Sequence, residues 1–69
     1  MKSYTQTQVY RLIYSVIKLE NLHLGVDKAS RTANQYAVKA TWKVYNNRTE
    51  YLEFISRHMT ILSILSTKD

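Results

Sequence analysis

The sequence predicts an all-α fold, a single small domain of three helices. Three observations carry that expectation. There is no proline and one glycine in 69 residues, which leaves tight β-turns without their usual residues. Apolar side chains recur at the helical period in each of three stretches. Polar residues with cap chemistry separate those stretches.

The first helix is expected over about residues 6–23. Thr5 and Gln8 have capping-box spacing, and Val9, Leu12, Ile13, Val16 and Ile17 follow as an unbroken i, i+3, i+4, i+7, i+8 stripe. Tyr10 and Tyr14 widen that stripe on one edge, while Arg11, Ser15 and Lys18 face away. Gly25 is placed for a left-handed cap, and Asp27 is expected to cap the next helix.

The second helix is expected over about 28–46. At about 100° per residue, Ala29, Ala33, Tyr36, Ala37, Ala40 and Val44 share one face, where small residues admit a close neighbour. Val38, Trp42 and Tyr45 form a second apolar face. Two such faces imply either two packed neighbours or one face kept for a partner. Between them run Lys28, Arg31, Gln35, Lys39 and Lys43, and from Lys28 to Thr49 there is no acid.

The third helix is expected over about 50–66, capped by Asn47 or Thr49, with Glu50 and Glu53 suited to its positive dipole end. Its apolar stripe holds Tyr51, Leu52, Phe54, Ile55, Met59, Ile61, Leu62 and Leu65, with His58 inside it. One neighbouring helix cannot cover so wide a stripe. A chain this short also gains little stability from a single core and has no cysteine to cross-link it. Together these features point to a homo-oligomer, most simply a dimer. Its interface would be drawn from Val38, Trp42, Tyr45, Tyr51, Phe54, Ile55, His58, Met59, Ile61, Leu62 and Leu65.

The bulk numbers narrow the function. Hydrophobic residues make up 45% of the chain, so composition does not favour disorder. A net charge of +5 favours acidic partners: nucleic acid, an anionic membrane surface or an acidic protein. The first residues lack a signal-peptide core and no run is long enough to span a bilayer, so a cytoplasmic protein is expected. A membrane-surface role fits poorly, because the amphipathic third helix is not lysine-rich and the basic second helix has a mainly alanine apolar face.

No catalytic set is visible. His23 and His58 are the only histidines, with no thiol and no paired carboxylate spaced to join them in a metal site. Serines and threonines stand without a recognisable base, and there is no glycine-rich phosphate loop. The expectation is a non-enzyme with no cofactor. A helix-turn-helix beginning at Leu24-Gly25-Val26-Asp27 fails where packing needs apolar residues, at Asn21, Arg31 and Asn34. A looser nucleic-acid surface remains open. There Lys28, Arg31, Gln35, Lys39 and Lys43 would hold phosphates, and Trp42 would stack on an unpaired base.

The segment Ala33-Asn34-Gln35-Tyr36-Ala37-Val38-Lys39-Ala40-Thr41-Trp42, followed by Asn47-Arg48-Thr49-Glu50-Tyr51 and Arg57, resembles the small bacterial helical regulators called AraC negative regulators. The resemblance covers about Ala29 to Met59. The family's glycine before the tyrosine is missing and the Tyr36-to-Trp42 spacing is one residue short. Tyr51 and Met59 stand where the family has a late tryptophan and a terminal cysteine. The resemblance implies an oligomer that binds an AraC-type activator or a nucleoid protein, and it assigns no site residue. The leading expectation is therefore a small regulatory adaptor in transcription, or in phage or plasmid biology. Direct nucleic-acid binding is the alternative.

Overall fold

The computed structural model describes residues 5–66, apart from the side chains of Leu65 and Ser66. Four α-helices follow one another: α1 (Gln6–Glu20), α2 (Val26–Asn46), α3 (Arg48–Arg57) and α4 (Met59–Ser66). A single 3-10 turn, Leu22–Leu24, joins α1 to α2. No strand occurs among the described residues.

The α1 start is built as its sequence requires. The Gln8 amide donates to the Thr5 hydroxyl at 3.1 Å, and the Thr5 amide donates back to the Gln8 side chain at 2.8 Å. This reciprocal pair satisfies two amides that would otherwise lack partners. The helix ends earlier than its apolar pattern suggests. Asn21 turns its side-chain amide onto the Ile17 carbonyl, and Leu22–Leu24 tighten into the 3-10 turn. The expected helix to residue 23 is therefore cut at Glu20, because the Asn21 side chain takes up a terminal carbonyl.

Gly25 has φ +102°, a conformation that side-chain-bearing residues rarely adopt. Its carbonyl accepts from Ala29, so α2 begins at Val26, ahead of the expected start. Asp27 is not the cap of α2. Gly25 holds that position without a side chain, and Asp27 lies in the first turn, where its charge still complements the dipole.

Antiparallel packing of α1 on α2 makes the core. Val9, Ile13, Val16 and Ile17 are buried against Ala33, Ala37 and Val44, and Ala29 is fully enclosed as well. Alanines let the two backbones approach, while the branched residues of α1 supply the volume. Each such branched side chain contributes about 1.5–3 kcal/mol on full burial. Thr41 is also buried in this face, its hydroxyl donating to the Ala37 carbonyl.

The expected single third helix is two helices. The chain breaks at His58, whose amide is shared between the Phe54 and Ile55 carbonyls and whose own carbonyl accepts from Leu62. The His58 ring binds Glu20 at the end of α1, at 2.5 Å, and sits tilted on Phe54 with centroids 4.5 Å apart. A straight helix would carry Ile61 and Leu62 past α1. The break lets α4 return to it, and both residues pack against the core.

Candidate functional site

α2 has two flanks. Along one, α3 lies beside it, positioned by Asn47, whose side chain accepts from the Glu50 amide and starts α3 one residue after α2 ends. Phe54 projects from α3 into the core and is 4% exposed. Lys43 of α2 reaches Glu50 of α3 at 3.6 Å. Arg57 faces Glu53 one turn earlier on α3, at 3.9 Å. These residues, with Tyr36, Lys39, Ala40 and Val44, line a cleft of about 320 Å³. Its charges are largely matched within the chain.

The other flank has no such neighbour among the described residues. There Gln6, Thr7 and Tyr10 of α1 face Ala37, Val38, Thr41 and Trp42 of α2 across a groove of about 350 Å³. Val38 is 65% exposed and Trp42 63% exposed. The α1 bank of the groove continues as a ladder: Tyr10 stacks on Tyr14 at 6.1 Å, and the Lys18 ammonium stands 5.7 Å over the Tyr14 ring. The Tyr10 hydroxyl donates to Asn34 and ties the two banks together. This contact, with Gln6 and Thr7 lying beside Thr41 and Trp42, makes the two helices an antiparallel hairpin, not the crossed pair of a helix-turn-helix.

The residues proposed from sequence as an interface separate into three groups. Val38, Trp42 and Met59 are exposed, Met59 at 63%. Phe54 is in the core; Tyr45, Tyr51, Ile55, Ile61 and Leu62 are half-buried against it, and His58 is half-buried on Glu20. Leu65 lies outside the described side chains. The wide stripe of the expected third helix is thus used mostly within the chain. Leu52, Met59 and Ile64 remain exposed.

Lys28, Arg31, Gln35, Lys39 and Lys43 are all exposed. Lys43 alone among these faces an acid, Glu50. Arg31 and Gln35 stand seven residues before Val38 and Trp42 and so in line with them along α2, whereas Lys39 lines the cleft on the α3 side.

Sequence reasoning missed Glu20, Asn34 and Thr41. For Glu20 a signal exists. It falls eleven residues after Val9, on the same buried stripe as Ile13 and Val16, and His58 lies on another apolar stripe. Two polar groups on buried stripes call for each other, since an unpaired one costs free energy. Thr41 gives no such signal, because its hydroxyl is satisfied by its own helix.

Among the described residues, no three histidine, cysteine or acidic side chains gather where a metal ion could be held. No helix among them is long and apolar enough to cross a membrane. Comparison with known proteins finds no matching family model, no matching curated protein and no matching solved structure.

Proposed function

We propose that the chain is a small non-enzymatic regulatory adaptor that acts by binding another protein through the open flank of its α1–α2 hairpin. The observation that carries this is Trp42. It is the chain's sole tryptophan, and it stands 63% exposed beside Val38 over a groove floored by the hairpin itself. Aromatic side chains dominate protein interfaces, and an apolar patch rimmed by polar groups marks a binding surface. The resemblance to AraC negative regulators points to an AraC-type activator or a nucleoid protein as the partner. Self-association belongs to the same proposal and uses the outer face of α3 and α4, where Leu52, Met59 and Ile64 are exposed.

The test is capture of partners by the wild-type chain and by Trp42→Ala, with and without nuclease. Retention after nuclease and loss in Trp42→Ala are expected. A buried aromatic anchor is worth about 2 kcal/mol or more to an interface. Capture unchanged by the substitution would remove Trp42 from the interface. Light scattering of Met59→Asp beside the wild type tests the oligomer; a wild type that stays monomeric at micromolar concentration would end that part of the proposal.

A second reading rests on a separate observation. Lys28, Arg31 and Lys39 are exposed and pair with no acid among the described residues. On nucleic acid these cations would hold phosphates. Replacing all three by Gln would then flatten the salt dependence, by about one log–log unit for every phosphate the chain no longer neutralises.

A further inference from the structure

We propose that the outer strip of α3 and α4 packs antiparallel on the same strip of a second copy, in a two-fold dimer that pairs Glu53 of each chain with Arg57 of the other. This rests on the self-association assigned above to that face and names its orientation and its ion pairs. Burial sets the strip. Phe54, Ile55, Ile61 and Leu62 turn toward the core, which leaves Leu52, Met59 and Ile64 half or more exposed. Ser56, Thr60 and Ser63 are exposed between them, and small side chains among large ones let a second helix come close. The only charged residues on this side of α3 are Glu53 and Arg57, and α4 carries none from Met59 to Ser66.

Charge selects a second copy and its direction. A two-fold interface pairs a patch with itself, and like charges brought together oppose association. On α2 the exposed side chains include Lys28, Arg31, Lys39 and Lys43 against Asp27 alone, so that helix would repel its own copy. The α3–α4 strip is neutral in a chain of net charge +5. Lys39 and Lys43 stand across the cleft from it on α2, and Lys43 already faces Glu50. Glu53 and Arg57 are opposite in sign, one turn apart and loosely held to each other, at 3.9 Å with side chains 52% and 72% exposed. A two-fold axis level with Ile55, midway between them, sets each beside its opposite on the second copy and brings Leu52 near Met59. An anionic membrane is a poorer match, because helices that lie on one carry Lys or Arg beside the apolar face. The strip is smaller than the about 20–30 residues a side of a standard interface, so association in the micromolar range is expected.

The test uses Glu53→Arg and Arg57→Glu in separate chains. Each alone is expected to weaken dimerisation about fivefold or more in sedimentation equilibrium at low salt, since like charges then meet across the axis. Mixed, the two should form a heterodimer at least as tight as the wild-type dimer, read by native mass spectrometry. An ion pair confined to one chain gives no such preference. Met59→Lys should abolish the dimer with helicity retained by circular dichroism, and Trp42→Ala should leave it unchanged. Variants that dimerise like the wild type yet prefer each other when mixed would set the strips parallel and overturn the orientation. A wild-type dimer with no preference in the mixture would overturn the pairing of Glu53 with Arg57 while leaving self-association in place. A wild type that stays monomeric throughout the micromolar range would end both. A dimer that survives Met59→Lys and is lost in Trp42→Ala would move the second copy to the open flank. Binding of monomeric wild type to vesicles of phosphatidylserine and phosphatidylcholine, lost in Met59→Lys, would assign the strip to a membrane surface instead.

Discussion

On one flank of α2, Ala40 and Val44 lie beside Phe54, and Lys43 meets Glu50; on the other, Val38 and Trp42 stand exposed over a groove whose remaining lining is Gln6, Thr7, Tyr10, Ala37 and Thr41. Both flanks belong to one continuous helix with apolar residues on each side. The difference lies in what the rest of the chain can reach. Asn47 starts α3 immediately after α2, so the returning chain stays on the Lys43 side, and the break at His58 directs α4 back onto α1. After α3 and α4 are placed, no described element is left for the Trp42 side. Among the described residues, an exposed tryptophan is thus a consequence of connection geometry as much as of composition.

The comparison can be broken most forcefully at Phe54. Phe54→Ala removes the anchor of the occupied flank and should destabilise the protein by about 3–5 kcal/mol, enough to unfold a domain this small, as read by urea denaturation followed by circular dichroism. If the helical signal and midpoint were unchanged, α3 would not be held by Phe54. The next effect is at the break. His58→Ala leaves Glu20 without its partner and should cost about 1–2 kcal/mol, with amide exchange in α4 accelerating before that in α1. Uniform acceleration throughout would mean that the His58–Glu20 contact supports the whole fold and does not dock α4 selectively.

Glu50→Gln sharpens the electrostatic side. Lys43 is well exposed, so solvent screening limits this pair, and a loss of about 0.5 kcal/mol or less is expected from thermal melts at low salt. Smallest of all is Trp42→Ala, expected to leave stability within about 0.5 kcal/mol because the ring is mostly outside the core. Phe54 and Trp42 are both aromatic, yet one truncation should unfold the protein and the other should not. A large destabilisation by Trp42→Ala would mean that the open flank is a hidden part of the core.

Several features are legible in the sequence itself. Thr5 and Gln8 announce the start of α1, and Val9, Ile13, Val16 and Ile17 are buried as their spacing requires. The alanine face of α2 is buried at Ala29, Ala33 and Ala37, although Tyr36, on the edge of that arc, is exposed. Spacing misplaces the cap of α2 because Asp27 has the right side chain, whereas Gly25 has the right backbone freedom. The unbroken third helix fails for a different reason. No glycine or proline stands near His58, and the interruption comes with a contact to Glu20, 38 residues earlier in the chain.

For the candidate site, the sequence singles out Val38 and Trp42 as a second apolar face but does not say whether a neighbour covers it. It likewise groups Phe54, Ile55, Ile61 and Leu62 with Met59, although the fold turns the first four toward the chain's own core and leaves the last outside. What the sequence alone determined is local: helical periods, caps, an alanine face that permits close packing, and an acid-free basic run from Lys28 to Thr49. Such features follow from interactions within three or four residues, which spacing reveals. Tertiary structure decided which apolar stripes face each other, where the last stripe bends, and which flank of α2 stays open. Those outcomes depend on contacts across tens of residues, such as His58 with Glu20 and Tyr10 with Asn34, and no local period encodes them.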